Sequence, residues 1–330
     1  MFSYLRELYM HAVFLDYKTV DANDLDLGSI KELLPEIVVH AFSNEAEVLE
    51  RIEDAEVAIA NKVIFDAEVF TRAKKLKLIC VTATGTNNID LEAATRSGVV
   101  VCNIRDYCTD SVVQHVLLSI LTLMHSFKDY SDSIESGDWQ DGKSFSLLQH
   151  PIAELSGKSI GILGYGVLGQ GVARAAAALG LNVLVCESFA KDKKPDEDLK
   201  RISFETFLTE SDIISLHCPL TDNTEGLFDD NAFKKMKASA ILINTARGGL
   251  INDDALIKAI EDKVIAGAAI DVLSQEPPDS DHPLMQKQYS NLIITPHIAW
   301  AAQEARQRAL DRIAENIKAF QNDSPINVVR

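Results

Sequence analysis

The sequence lacks the features that would direct the protein to nucleic acid or into a membrane. Its 330 residues contain 32 Lys and Arg against 49 Asp and Glu, and the formal net charge of −17 argues against nucleic acid and anionic membrane surfaces as partners. The longest run without a charged residue, 111–127, includes Gln114 and His125, so it is typical of a buried helix and too polar for a membrane span. We therefore expect neither a nucleic-acid nor a membrane partner.

Cysteine is scarce, and its positions suggest neither a metal site nor a disulfide framework. The five cysteines form no C-x-x-C pair and no Cys/His group with metal-ligand spacing, and most lie in apolar, strand-like runs. They are Cys80, Cys102, Cys108, Cys186 and Cys218. We expect buried free thiols, a reducing compartment and no metal ion. Because residues 1–9 also lack the basic-then-apolar order of a signal peptide, we predict a cytoplasmic protein.

Short apolar runs alternate with helical segments along most of the chain. At 330 residues the chain is long enough for two domains with separate cores, and its apolar content is that of an ordinary globular protein. Over residues 12–100, and again from residue 159 onward, the alternation predicts parallel sheets with helices on both faces. We therefore assign the chain to the α/β class.

A glycine-rich turn follows the apolar run Ile160–Leu163, which we predict to be a buried strand. Gly164, Gly166 and Gly169 occur in the order G-x-G-x-x-G and lead into an alanine-rich helix over about 168–179. In a dinucleotide site the first glycine permits the tight turn, the second lets the backbone approach the pyrophosphate, and the third allows close helix–strand packing. The N-terminus of the helix also offers N–H groups and a positive dipole end to phosphates. The pattern therefore favours a dinucleotide site over a structural turn.

A carboxylate, Glu187, stands at the end of the second predicted strand, Asn182–Cys186. A carboxylate at this place accepts hydrogen bonds from the ribose hydroxyls and repels a 2′-phosphate, and no arginine directly follows it. We therefore predict NAD rather than NADP, although Lys191, Lys193 and Lys194 are near in sequence and weaken the argument.

Three polar residues lie just beyond predicted strands of the same domain: Arg247, Glu276 and His297. The strand ends of an open α/β sheet converge on one crevice, so we expect these side chains to meet beside the coenzyme. Arg247 can clamp a substrate carboxylate and polarise its carbonyl with a fixed fork of donors. His297 can donate a proton to the new alkoxide while Glu276 orients its imidazole. Together they suit hydride transfer to a 2-oxo acid.

Each of these residues taken alone also has a purely structural interpretation. An arginine in Ala-Arg-Gly-Gly can bind backbone carbonyls, and a histidine in Thr-Pro-His can simply end a strand. The polar loop 83–88, which directly follows a predicted strand, is either an anion-binding loop or an ordinary turn. Spacing alone leaves these alternatives open.

Seven ordered motifs resemble the D-isomer-specific 2-hydroxyacid dehydrogenase family, and the likeness covers nearly the whole chain. The motifs lie at residues 83–90, 107–112, 164–169, 217–221, 244–249, 271–278 and 295–297. The resemblance implies that Arg247, Glu276 and His297 are catalytic and that the coenzyme is NAD.

The same resemblance implies an architecture and an assembly. It predicts two Rossmann-like, doubly wound parallel-sheet domains with a cleft between them. Residues 1–108 and 301–330 would form a discontinuous substrate domain, and residues 109–300 the inserted NAD-binding domain. Family members pair through their coenzyme domains, which implies a homodimer. Trp139, expected to be exposed in a polar loop, would lie at or near the interface.

The resemblance also assigns ligand contacts along the chain. The implied coenzyme contacts are Thr109, Gly164, Gly166, Val167, Leu168, Gly169, Glu187, Cys218, Pro219, Thr224, Thr245, Ala246, Arg247, Asp271 and His297. The implied substrate contacts are Thr84, Gly85, Arg247 and Trp300. His115 and His217 belong to the same motifs, and we interpret both as structural.

Within the family, the Thr-Gly-Thr-Asn-Asn loop and the segment 297–300 are most similar to the glycerate dehydrogenases, which reduce hydroxypyruvate. Trp300 beside His297 would narrow the pocket to a small substrate. The alternatives are a phosphoglycerate, D-lactate-type or broad 2-oxo acid reductase; a phosphorylated substrate would need a further Arg or Lys that the sequence does not place. Formate dehydrogenase is disfavoured because that family carries glutamine opposite its histidine. An NAD(H)-sensing corepressor-like binding protein is the remote alternative from another functional class.

Overall fold

The computed structural model describes residues 10–190 and 199–329, and this part of the chain divides into two compact units. The first unit comprises the chain up to Cys108 together with Trp300 and the residues after it. The second unit is Thr109–Ala299. The N-terminal segment 1–9 and the three lysines at 191, 193 and 194 lie outside the described residues.

The described chain contains short strands, helices of 6 to 19 residues and three 3-10 turns. The strands are β1 Ala12–Phe14, β2 Val38–Val39, β3 Val57–Ala60, β4 Leu78–Val81, β5 Val100–Cys102, β6 Ser159–Leu163, β7 Asn182–Cys186, β8 Arg201–Ile202, β9 Ile213–Leu216, β10 Ile241–Asn244, β11 Gly267–Ile270, β12 Leu292–Ile294 and β13 Val328–Val329. The helices are α1 Gly28–Leu33, α2 Glu45–Ile52, α3 Ala67–Arg72, α4 Leu91–Arg96, α5 Thr109–Met124, α6 Phe127–Glu135, α7 Val167–Ala178, α8 Phe204–Glu210, α9 Asp230–Lys235, α10 Asp253–Glu261 and α11 Gln303–Gln321. The 3-10 turns are Tyr17–Thr19, Gly248–Leu250 and Pro283–Met285.

The first unit is built on a sheet with the strand order β13-β5-β4-β3-β1-β2. All its pairings are parallel except that of β13 with β5. β3 and β4 are buried along their whole length, which explains their continuous apolar sequences. One hydrophobic core includes residues of α2, α3 and α4, and the other includes residues of α1 and α11, so helices cover both faces.

The second unit is built on a parallel sheet with the order β12-β11-β10-β9-β6-β7-β8. From β6 the chain first extends the sheet through β7 and β8, and it then returns to place β9 on the other side of β6. In such sheets a ligand crevice lies at the carboxyl ends of the strands where the order reverses, here those of β6 and β9. The predicted fold class, two Rossmann-like parallel-sheet α/β domains, is thus confirmed.

The expectation that 111–127 forms one buried helix is wrong. α5 ends at Met124 and α6 begins at Phe127, and between them Ser126 adopts a left-handed φ of 46°. Leu118 and Leu121 of α5 remain 62% and 40% exposed, because only one face of this apolar helix packs against the unit. None of the helices within 10–190 and 199–329 is long and apolar enough to cross a membrane.

Candidate active site

The carboxyl ends of three neighbouring strands bring the predicted catalytic side chains to one edge of the second sheet. β10, β11 and β12 pair in register, with Asn244 opposite Ile270 and Ile270 opposite Ile294. Arg247 follows β10, Glu276 follows β11 and His297 follows β12. Because the strands run parallel, these segments leave the sheet on the same side.

His297 and Glu276 form a hydrogen-bonded pair. The imidazole Nδ1 lies 2.6 Å from Glu276 Oε2, and Glu276 Oε1 accepts the N–H of Leu273 at 2.9 Å. The carboxylate is therefore held on two sides, and its bond to Nδ1 fixes the orientation and tautomer of the ring. The His297 side chain is still 32% exposed, so a ligand can reach it. This arrangement is suited to general acid–base chemistry.

The backbone around His297 is held by Asp271. His297 has a left-handed φ of 54°, and its N–H donates to the Asp271 carbonyl at 2.8 Å. The buried Asp271 carboxylate accepts hydrogen bonds from the Thr295 hydroxyl at 2.6 Å and from the N–H groups of Ile298 and Ala299, each at 2.9 Å. Asp271 is one of the predicted coenzyme contacts, and its carboxylate binds within the turn that presents His297. Such an unusual φ needs this kind of support.

Arg247 lies on a segment that packs directly against the Glu276 loop. A Cβ on Gly248 would overlap the backbone of Leu273 and Ser274, so only glycine lets the two segments approach this closely. The Arg247 guanidinium is exposed, and its Nη1 donates to the Ala246 carbonyl at 2.6 Å. Among the described residues it forms no ion pair with a carboxylate, which leaves its charge for an anionic ligand.

A second histidine–carboxylate pair fastens the Glu276 loop to α10. Asp253 Oδ2 lies 3.4 Å from Ser274 Oγ and 3.4 Å from His282 Nε2. His282 Nδ1 accepts the N–H of Leu284 at 3.3 Å, so the proton of this ring is on Nε2 and faces Asp253. Burial raises the pKa of the Asp253 carboxyl. Sequence reasoning missed this pair because nothing in the spacing of its two residues marks it.

The glycine turn has the geometry that its sequence predicts. Gly164 has a φ of 94°, and a Cβ there would overlap the backbone of His217 and Cys218. A Cβ on Gly169 would overlap the Gly164 carbonyl, whereas a Cβ on Gly166 would meet nothing within 4 Å. Gly166 immediately precedes α7, so open space lies beside the first N–H groups of that helix.

A cavity of about 790 Å³ adjoins the turn. Six of the predicted coenzyme residues line it: Gly164, Gly166, Glu187, Cys218, Pro219 and Thr224. Glu187 Oε1 also accepts the N–H of Phe204 at 2.7 Å. Arg201 lines the cavity too, and the sequence analysis missed it. It reaches the cavity because β8 pairs with β7, and the two residues of β8 are too short a pattern to identify.

Comparisons with known proteins agree with this geometry. Residues 117–299 match the family described as "D-isomer specific 2-hydroxyacid dehydrogenase, NAD binding domain". The chain is 41% identical to a glycerate dehydrogenase of Methylorubrum extorquens, over 96% of this chain and 98% of the relative. It is 35% identical to a hydroxypyruvate reductase of Blautia hydrogenotrophica, over 97% of this chain and 99% of that one. The crystal structure of the TT0316 protein of Thermus thermophilus superposes with a TM-score of 0.85 at 32% identity, covering 97% of this chain and 100% of that chain.

The chain belongs to the D-isomer-specific 2-hydroxyacid dehydrogenase family. The predictions of an NAD-dependent oxidoreductase acting on D-2-hydroxy acids, and of a likeness to glycerate dehydrogenases, are thereby confirmed.

The second unit of this dehydrogenase fits the dinucleotide that the family binds. Two buried polar atoms, His217 Nδ1 and Thr245 Oγ1, have no hydrogen-bond partner among the described residues. Both residues follow central strands, β9 and β10, at the crevice predicted by the strand order. The open approach to Gly166 and these unsatisfied atoms are what a dinucleotide bound along the strand ends would use.

The remaining predicted contacts occupy several different environments in the dehydrogenase. Val167, Leu168 and Gly169 form the first turn of α7, and Ala246 lies beside Asn244 Oδ1, which accepts its N–H at 3.0 Å. Thr109 begins α5, and its methyl group packs near Gly171. The predicted substrate contacts Thr84, Gly85 and Trp300 belong to the first unit.

The two motif histidines interpreted as structural have different surroundings. His115 Nε2 lies 3.2 Å from Thr295 Oγ1 and so supports the turn before His297. His217 Nε2 lies 2.9 Å from Ser215 Oγ, and the ring lines the cavity. Burial lowers the pKa of His217 to about 4, so the ring is neutral at physiological pH.

Proposed function

We propose that the chain is a glycerate dehydrogenase that reduces hydroxypyruvate to D-glycerate with NADH. The observation that carries the proposal is the pair formed by His297 Nδ1 and Glu276 Oε2 at 2.6 Å, on the sheet edge that also presents the guanidinium of Arg247. The similarity to a glycerate dehydrogenase at 41% identity and to a hydroxypyruvate reductase at 35% identity supports the substrate.

In the proposed mechanism each of the three side chains has one task. Arg247 binds the substrate carboxylate and polarises the 2-oxo group with its fixed fork of donors. NADH, when bound in the second unit, would supply the hydride for carbon 2 of the substrate. His297, held by Glu276 through Nδ1, gives the proton from Nε2 to the oxygen of carbon 2, and Glu276 stabilises the protonated ring before that transfer. One hydride and one proton are consumed for each hydroxy acid formed.

We propose that the first unit supplies the substrate-binding loop with Thr84 and Gly85. Support comes from the way the loop is held: Thr84 Oγ1 donates to the Ile104 carbonyl at 2.9 Å, and Asn103 Nδ2 donates to the Thr84 carbonyl at 2.7 Å. Backbone N–H groups in such a held loop can bind a carboxylate without a further ordering cost. The first unit would then be the substrate domain and the second the NAD-binding domain.

Trp300 is proposed to set the size of the accepted substrate. Its indole packs edge-to-face on the ring of Tyr107, with centroids 6.4 Å apart, so it is held in one orientation. A fixed indole three residues after His297 would exclude long side chains at carbon 3 and favour hydroxypyruvate over bulky 2-oxo acids.

The test is NADH oxidation with hydroxypyruvate, glyoxylate, pyruvate and 3-phosphohydroxypyruvate, compared by kcat/KM. We expect hydroxypyruvate to exceed the others by at least about tenfold. A preference for the phosphorylated acid would overturn the substrate in favour of the phosphoglycerate alternative. Equal activity with all four acids would favour the broad 2-oxo acid reductase. No turnover with any of them would favour the corepressor-like alternative.

We further propose a homodimer formed through the second unit. A group of large apolar side chains on and after α5 is exposed: Leu118, Leu121, Phe127, Ile134, Trp139, Phe145, Leu148 and Ile152. Phe145 and Leu148 are 92% and 85% exposed, which is costly unless another surface covers them. Trp139 is 49% exposed, and its Nε1 donates to the Phe145 carbonyl at 3.1 Å. An identical copy is the expected partner because most soluble homo-oligomers are twofold symmetric.

Sedimentation of the wild-type chain and of a Phe145→Asp, Leu148→Asp variant tests the dimer. We expect a dimer for the wild type and a monomer for the variant. A monomeric wild type would contradict the proposal.

The five thiols are all free, which supports our further proposal that the protein works in the reducing cytoplasm.

A further inference from the structure

Arg201 has no role in the site as described so far, although it lines the coenzyme cavity. It begins β8 and pairs in register with Val185 of β7. β7 is the strand that ends just before Glu187, so Arg201 stands on the next strand outward from that carboxylate. Sequence proximity to Glu187 does not reveal this arrangement, because it depends on the pairing of the two strands.

The guanidinium of Arg201 has unused donors. Within the described residues its hydrogen-bond acceptor is the Cys186 carbonyl, to which Nη1 donates at 2.8 Å, and it forms no ion pair there. The residue is half-buried in the cavity wall of a chain that carries 49 Asp and Glu. An arginine that is partly withdrawn from water and has no carboxylate partner is suited to an anionic group of a ligand.

The order of the strands indicates which anionic group that is. The pyrophosphate of a dinucleotide binds at the glycine turn after β6 and at the N-terminus of α7. The adenosine ribose lies near the carboxylate at the end of the next strand, here Glu187 after β7. Because the sheet order is β6-β7-β8, Arg201 lies on the side of Glu187 away from the glycine turn. An anion on this side of a bound dinucleotide would be a phosphate on the ribose 2′ position.

Glu187 opposes a 2′-phosphate by its charge, but its geometry limits the effect. Its Oε1 accepts the N–H of Phe204, the first residue of α8, at 2.7 Å, and this hydrogen bond partly offsets the negative charge of the carboxylate. The side chain is also exposed, and water and salt screen the repulsion between exposed charges. A positive group in the same cavity wall can therefore offset it.

We propose that the ribose end of the site binds both NAD(H) and NADP(H), with Arg201 binding the 2′-phosphate and Glu187 binding the 2′-hydroxyl of NAD(H). The chain then has a second activity, the NADPH-dependent reduction of the same 2-oxo acid. That reaction consumes NADPH and one proton and yields NADP⁺ and the 2-hydroxy acid. The coenzyme part of the proposal depends on the second unit alone, and only the substrate depends on the proposed function.

The decisive experiment measures coenzyme binding to the full chain without any 2-oxo acid. NADH and NADPH are titrated by fluorescence, and 5′-AMP and adenosine 2′,5′-bisphosphate by calorimetry. For the wild type we expect a Kd for NADPH within about tenfold of that for NADH. Arg201→Gln should weaken the binding of NADPH and of the bisphosphate by about tenfold or more. It should weaken the binding of NADH and of AMP by less than about threefold. Arg201→Lys should give an intermediate loss, because it keeps the charge without the fork.

Lys200→Gln is the matched control, because it removes an exposed positive charge from the adjacent residue. We expect the affinities of this variant for all four ligands to stay within about twofold of the wild-type values. The proposal is overturned if wild-type NADPH binds more than about a hundredfold more weakly than NADH, if Arg201→Gln weakens both coenzymes alike, or if Lys200→Gln causes the same selective loss. If Arg201→Gln fails to unfold cooperatively, the selectivity of Arg201→Lys decides, and equal losses for both coenzymes overturn the proposal. Inactivity toward hydroxypyruvate with selective NADPH binding would overturn only the substrate.

Discussion

Two histidine–carboxylate pairs occur on the same loop region of the second unit and differ in distance and exposure. His297 Nδ1 lies 2.6 Å from Glu276 Oε2 with 32% of the histidine side chain exposed, whereas His282 Nε2 lies 3.4 Å from Asp253 Oδ2 with 8% exposed. The chemical groups are alike, so their surroundings separate the two pairs. The first can meet a ligand, and the second holds the loop that positions the first. Exposure and distance, more than residue type, distinguish the pair that we propose to react from the pair that supports its loop.

A third histidine, His217, extends the comparison to a ring without a carboxylate. Its Nε2 lies 2.9 Å from the hydroxyl of Ser215, and burial lowers its pKa to about 4. The cause is desolvation, because burial disfavours the charged imidazolium form. The three histidines therefore lie in three different environments, and only for His217 do we expect a pH-dependent effect on stability.

The largest effect is expected from replacing the exposed ring. His297→Ala should lower kcat for 2-oxo acid reduction by about 10²–10⁴-fold, because proton donation acts only in the chemical step. The Kd for NADH should change by less than about threefold. Steady-state kinetics and NADH titration check this, with the exposed His11→Ala as control. An unchanged kcat would mean that another group donates the proton.

The next effect concerns stability rather than activity. His217 has a folded pKa of about 4, below its value of about 6.5 in the unfolded chain, so the folded state resists a proton that the unfolded state takes up. The contribution of this ring to the free energy of unfolding is therefore complete above pH 6.5 and is lost as the pH falls from there towards 4. Between pH 7.5 and pH 5 the loss from this ring is about 2 kcal/mol of unfolding free energy.

Chemical denaturation of the wild type and of His217→Asn at both pH values checks this loss. Because asparagine does not titrate, the variant should lose less stability on acidification than the wild type. Equal losses in the two proteins would contradict a depressed pKa. All other titrating groups are shared by the two proteins, so they cancel in the difference.

The third largest effect is expected from replacing Glu276, the carboxylate that pairs with His297. Glu276→Gln keeps the shape of the side chain but removes the charge that stabilises a protonated His297. We expect kcat to fall by about 10–100-fold and the Kd for NADH to change little. A rise in KM alone, with kcat unchanged, would show that Glu276 binds substrate rather than supporting the proton donor.

The smallest effect is expected from the supporting pair. Asp253→Ala removes the contacts to Ser274 and His282, and we expect a fall in kcat of about 3–10-fold through a loosened Glu276 loop. Asp253→Asn should recover part of the loss, because the amide oxygen can still accept these bonds. Asp254→Ala, at an exposed neighbouring carboxylate, is the matched control and should not change kcat. If both alanine variants behave alike, the loop does not depend on Asp253.

The parts of the site that the sequence predicts are those set by short spacings. Gly164, Gly166 and Gly169 specify the turn, because backbone conformation and close packing require glycine at defined offsets. Arg247 and His297 follow strands whose apolar runs are easily recognised, and parallel strands in sequence order end on the same side. Glu276 lies six residues after β11, so the order of the strands predicts the edge of the sheet at which it lies but not its exact position.

The exposed face of α5 illustrates what composition cannot distinguish. A run without charged residues is equally compatible with burial inside one chain and with burial against another. Leu118 and Leu121 are exposed within the second unit, so only the folded chain shows which face lacks a neighbour. The prediction of a wholly buried helix failed for this reason.

The sequence by itself therefore determined the α/β class, the dinucleotide turn and the edge of the sheet where His297 and Glu276 meet, because each depends on local spacing or on the order of strands. The tertiary structure decided that Arg201 lines the coenzyme cavity, that Asp253 and His282 support the Glu276 loop, and that one face of α5 lies open. These three depend on which distant segments pair and on how closely they pack. No local pattern encodes that, because the free energy of such contacts belongs to the assembled fold.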